Sequence, residues 1–199
     1  MGSELIQRGE VLPNYIWSAD SNIKNPQLVY QIHQDYIEAG SNYITTNTFR
    51  TTPRAYSKTG LSDVHATDMA YKSLKIAVKM AKKATNDKVK VLGSIAPLED
   101  CYQPEFFPGE NIARQEFKQL GEWLKDEGVD IFLLETMNSI TDAIQMVANR
   151  DQLKRTKNLN WDDTASALNL KKDTARKRYK MGNHLILSGE IHKYFPEFR

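Results

Sequence analysis

Apolar positions along the chain recur at helical spacing in three long stretches, with short β-branched runs between them. In the first stretch Leu28, Val29, Ile32, Tyr36 and Ala39 fall three and four apart and predict one face of a helix. Asn25 precedes it as a good N-cap. Pro26 suits the first helical position, where its missing N–H would have been unpaired anyway. Gly40 supplies the stop. A second helix is predicted over residues 66–84 from Met69, Leu74, Ile76, Val78 and Ala81. Lys79, Lys82 and Lys83 crowd its last turns, where cations complement the helix dipole. A third spans residues 111–127 on a stripe of Ile112, Phe117, Leu120, Trp123 and Leu124, and ends at Gly128.

Three runs read as strands: residues 42–49, broken by Thr51-Thr52-Pro53; residues 89–96, stopped by Pro97; and residues 129–135. Ser139 then caps a short predicted helix through Ala143, Ile144 and Val147. Strands alternating with helices argue for βα units and a parallel sheet, and the unbroken apolar run 131–134 suits a strand covered on both faces. Chemistry in such folds collects at the carboxyl ends of the strands. Those ends hold Asn47, Thr48 and Phe49, then residues 97–101, then Glu135, Thr136 and Met137.

Charge divides the chain. Residues 1–150 carry 16 Lys and Arg against 19 Asp and Glu, while residues 151–199 carry 11 against 6. An acidic body with a basic tail suggests two parts with different tasks. Within the tail, residues 161–168 and 173–181 read as two short helices about a turn. Ala165, Leu168, Leu170, Ala175 and Tyr179 are the inner positions, and Lys171, Lys172, Arg176, Lys177, Arg178 and Lys180 are displayed outward. That pattern is compatible with a helix-turn-helix contacting DNA phosphates, and equally with a solvated basic helical appendage or a non-native extension. No run reaches the roughly 18 apolar residues of a membrane span, and no secretory leader is visible, so a cytoplasmic protein is expected. The one cysteine, Cys101, excludes an intramolecular disulfide and any zinc site drawing two or more thiolates from these residues. His33, His65, His184 and His192 form no pair at the i, i+4 spacing of a helical metal motif.

Five segments, in order and at matching separations, carry a resemblance: Met1-Gly2-Ser3-Glu4-Leu5; Asn25-Pro26 with Tyr36-Ile37-Glu38-Ala39-Gly40; Thr45-Thr46-Asn47-Thr48-Phe49; Gly93-Ser94-Ile95-Ala96-Pro97; and Leu133-Leu134-Glu135-Thr136-Met137. Over residues 1 to about 147 the chain resembles the homocysteine S-methyltransferase family, and residues 151–199 do not match it. The resemblance implies a TIM-type (β/α)₈ barrel, here partial because such a barrel needs about 250 residues. It implies methyl transfer to the thiol of homocysteine, giving methionine. It also implies that Glu135 takes the substrate's amino group, with Asn47, Thr48 and Phe49 lining the same pocket. From the residues alone, Glu135 serves equally as a cap for the following helix, and the other three as strand-end packing.

The family's zinc is held by three cysteines, and Cys101 matches none of those positions. The sequence therefore predicts a partial barrel over residues 1–148 and a small helical segment over residues 149–199. It predicts homocysteine as ligand, no assignable catalytic or metal residue, and no methyl transfer by the isolated chain. Two other readings stay open: DNA binding through residues 161–181, and self-association or pairing with a complementing half-barrel.

Overall fold

A computed structural model describes residues 1–85, 88–129 and 131–137. Their elements run α1 (Gly2–Gln7), α2 (Ala19–Lys24), α3 (Pro26–Glu38), β1 (Tyr43–Thr45), α4 (Pro53–Ser57), α5 (Asp63–Ala84), β2 (Lys90–Ile95), a 3₁₀ turn (Pro104–Phe106), α6 (Glu110–Asp126) and β3 (Ile131–Leu134). The strands form one parallel sheet in the order β1-β2-β3. Tyr43 stands opposite Lys90 and Thr45 opposite Leu92; Leu92 in turn stands opposite Ile131 and Ile95 opposite Leu134. Parallel neighbours need crossovers, and helices supply them, α4 and α5 between the first two strands and α6 between the last two. The predicted tail helices and the helix after Ser139 lie outside the described residues.

Capping chemistry explains several helix starts. The Asn25 side chain accepts the Leu28 N–H at 3.3 Å ahead of Pro26. Ser62 caps α5 through His65, so that helix begins at Asp63 rather than at residue 66. Thr51-Thr52-Pro53 starts a helix and does not end the strand, which stops earlier. Thr52 accepts the Ala55 N–H at 3.2 Å and, with Pro53 at the first position, starts α4. The first predicted strand is also shorter than residues 42–49, since regular pairing ends at Thr45.

The largest apolar core lies between the sheet and α5 and α6. It contains Leu74, Val78, Ile95, Leu98, Phe117, Leu120, Leu124 and Val129, with Phe132, Leu134 and Met137 packed against it. Gly93 permits close packing there, because a Cβ on it would lie 3.0 Å from Val129 Cγ1 and 3.1 Å from Leu124 Cδ1. Three positions on predicted apolar stripes prove exposed: Tyr36 at 46%, Ile112 at 44%, and Ala39.

His33 replaces Tyr36 on the inner face of α3, where it is buried beside Val29 and Ile32 and its Nε2 has no hydrogen-bond partner. Met1, Tyr36 and Tyr43 line the adjoining groove. Burial, with a smaller contribution from the chain's amino terminus, pushes the imidazole pKa down to about 4. The unfolded chain, with a pKa near 6.5, binds a proton that the folded chain refuses as pH falls from about 6.5 towards 4. Stability is therefore expected to fall across that window, by on the order of 3 kcal/mol. Urea midpoints at pH 7 and pH 4.5 should separate widely for the wild type and less for His33→Leu; equal separations would remove His33 as the cause.

Candidate functional site

The carboxyl ends of the three strands hold a continuous polar network. Thr46 follows β1 and its N–H bonds Leu92 O at 2.8 Å, so the backbone still follows β2 for one residue beyond the strand. The chain then leaves the sheet, and its side chains reach back. Thr46 Oγ1 accepts the Ser94 N–H at 3.0 Å, and Thr48 Oγ1 donates to Ser94 O at 2.7 Å. The two threonine oxygens are 2.7 Å apart. Since the Thr48 proton is committed to Ser94 O, Thr46 is the donor in that contact. All three residues are buried. The Ser94 hydroxyl is left to donate to Glu135 Oε1.

Glu135 stands at the end of β3, where its N–H extends the ladder by bonding Ile95 O at 3.0 Å. Its side chain is half-buried. Among the described residues it joins none of the ion pairs. The next residue, Thr136, sits at φ 58°, a left-handed conformation uncommon for a β-branched side chain, and turns the backbone sharply after the carboxylate.

The structure thus brings Thr48 and Glu135 into one network through Ser94. Asn47 is directed elsewhere. Its Nδ2 donates to Ser18 O at 2.8 Å and to Asn22 Oδ1 at 2.9 Å, while Asn22 Nδ2 donates to Asn47 O and to Ser73 Oγ. This buried amide pair ties the loop after β1 to α2 and α5. Phe49 is half-buried, with the Arg50 guanidinium carbon 5.5 Å from its ring centre. Sequence reasoning missed Ser94 and Thr46 as site residues, although both lie inside segments that carried the resemblance.

The loops after β1 and β2 are bound together at the rim. Arg50 Nη1 donates to Glu99 O at 2.8 Å, Arg54 pairs with both Glu99 and Glu116, and Lys58 pairs with Glu99. Hydrogen bonding and charge from Glu116 raise the Arg54 pKa further above its usual value, so the guanidinium is permanently charged. The clamp holds the loop that contains buried Cys101.

The profile of the homocysteine S-methyltransferase family matches residues 1–182. The chain belongs to that family. The match continues beyond residue 147, where the pattern of motifs fades, and takes in residues 161–181. Lys172, Arg176, Lys177, Arg178 and Lys180 lie there, outside the described residues.

Among curated relatives, homocysteine S-methyltransferase of Escherichia coli is 27% identical over 153 residues, covering 71% of this chain and 49% of the relative. Homocysteine S-methyltransferase 1 of Arabidopsis thaliana is also 27% identical, with the same coverage. The chain thus spans about half the length of these relatives. Among solved structures, the metallated form of the homocysteine methyltransferase MmuM from Escherichia coli matches with a TM-score of 0.67 at 23% identity. That match covers 78% of this chain and 58% of MmuM, and it establishes the shared fold.

A three-thiolate zinc site does not fit residues 1–199, which contain one cysteine. Among the described residues no group of three His, Cys, Asp or Glu side chains is placed to hold a metal ion. No described helix is long and apolar enough to cross a membrane.

Proposed function

We propose that the carboxyl ends of β1, β2 and β3 form the amine-recognition part of a homocysteine site. The supporting observation is Glu135: a half-buried carboxylate at a strand terminus, held on one oxygen by Ser94 and outside every ion pair among the described residues. Such a group pairs well with an ammonium, because a charge-assisted hydrogen bond in a partly desolvated pocket outweighs the same bond in water. Phe49 would contribute apolar surface beside it, while Asn47 and Thr48 shape the pocket from within the fold. The reaction class of the family is methyl transfer to the homocysteine thiol, giving methionine. Calorimetric titration of the chain with L-homocysteine tests the reading. Saturable binding to wild type that is markedly weakened in Glu135→Gln supports it, and absence of binding by wild type refutes it.

Residues 1–199 are expected to bind this ligand without transferring a methyl group, since a single thiol cannot supply the three-cysteine metal site. Incubation with zinc, L-homocysteine and a panel of methyl donors, followed by amino-acid analysis, checks the point. Methionine formation together with stoichiometric zinc would overturn it. Strands that complete the barrel, from a second copy or a complementing half-barrel, would pair along β1 or β3, whose outer edges have no strand partner among the described residues.

A further inference from the structure

We propose that Ser94 is a positioning residue for amine recognition, and that Thr46 and Thr48 aim it. The inference rests on the role proposed above for Glu135. Donor counting carries it. The hydrogen bonds from Ser94 N–H to Thr46, from Thr46 to Thr48 and from Thr48 back to Ser94 O close a ring that uses each hydroxyl proton once. Both backbone polar groups of Ser94 are thereby satisfied inside a buried site, and its peptide is gripped from two sides. Its side-chain hydroxyl takes no part in the ring. The acceptor the structure gives it is Glu135 Oε1, on the neighbouring strand.

A hydroxyl gripped in this way fixes the carboxylate rotamer of Glu135. A glutamate side chain has several rotatable bonds, and freezing them before the ligand arrives removes an ordering cost that binding would otherwise meet. With Oε1 occupied by Ser94, Oε2 is the oxygen left to meet an ammonium. The hydroxyl also bears on specificity. A carboxylate already accepting one donor is suited to a ligand bringing a further donor and charge, and discriminates against an analogue lacking the amine.

Ligand chemistry separates positioning from mere structural support. L-Homocysteine and 4-mercaptobutyrate differ only in the amino group. Both are titrated against wild type, Ser94→Ala, Glu135→Gln and the double variant, with folding checked by circular dichroism. Ser94→Ala is expected to weaken homocysteine about tenfold, the effect of losing one charge-assisted hydrogen bond, and to leave 4-mercaptobutyrate unchanged. The double variant should bind homocysteine no more weakly than Glu135→Gln alone, because both substitutions act on one contact.

Thr48→Val, isosteric but unable to complete the ring, should weaken homocysteine selectively by a few-fold and provides the same comparison should Ser94→Ala fail to fold. Equal losses for both ligands, or additive losses in the double variant, would overturn the positioning role. Unchanged homocysteine binding in Ser94→Ala beside a loss in Glu135→Gln would overturn it while leaving the Glu135 reading intact. Failure of wild type to bind homocysteine would defeat both together.

Discussion

Glu135→Gln is expected to weaken L-homocysteine binding by about 1.5–3 kcal/mol, roughly 10- to 100-fold, with little change in folding stability. The substitution keeps the side chain's length and both polar positions, so Ser94 can still donate to the amide oxygen. What it removes is the charge that would meet an ammonium. The cost appears in binding because the carboxylate joins no ion pair among the described residues and its partial exposure lets the free protein tolerate a neutral amide. Isothermal titration at two salt concentrations checks this. The wild-type affinity should fall modestly with salt while the residual affinity of the variant stays flat. Equal affinities for the two proteins would exclude Glu135 as the amine partner.

Phe117→Ala should produce the largest loss of stability, about 3–5 kcal/mol. Phe117 is fully buried at the centre of the core that includes Leu74, Val78, Ile95, Leu98, Leu120 and Leu124. Truncation removes the transfer free energy of a ring and leaves a cavity in the core that includes Ile95, the last residue of β2, and Leu98. Against a typical total of 5–15 kcal/mol, that loss leaves the domain marginal. Ile112→Ala is the matched control. It lies on the same helix and the same predicted stripe but is 44% exposed, so its loss should stay near 0.5 kcal/mol. Denaturant midpoints for the two variants would check the contrast, and similar losses would show that the core is placed wrongly.

These two residues mark what neighbouring amino acids can encode. Asn25-Pro26 announces a helix start because a cap and a proline act on the backbone within three residues, and the structure shows that cap formed. Thr52-Pro53 carries the same signal but reads as a strand breaker, since a five-residue helix offers no periodicity to support the cap. The short helices α1 and α2 went unread for a related reason. Each has six residues, below the length at which a helix is stable by itself, and each is held by burial of Leu5, or of Ala19, Ser21 and Asn22, against distant elements.

The candidate site shows the same division. Glu135 was legible because an acidic residue ending an apolar run stands out, and because its segment resembles a family motif. Asn47 was equally prominent, yet its amide reaches Ser18 and Asn22, 29 and 25 residues away. Ser94 looked like any small residue at a strand end. Its place in the network comes from Thr46 and Thr48 on one side and Glu135, 41 residues along the chain, on the other.

Sequence alone determined the alternation of strands and helices, their parallel arrangement, the helix start at Asn25-Pro26 and the family, because capping, periodicity and motif order are local or linear properties. Tertiary structure alone decided which position of an apolar stripe is buried, where β1 ends, and which oxygen a rotating hydroxyl addresses. The physical reason is that burial and hydrogen-bond direction depend on partners that folding brings together from tens of residues apart.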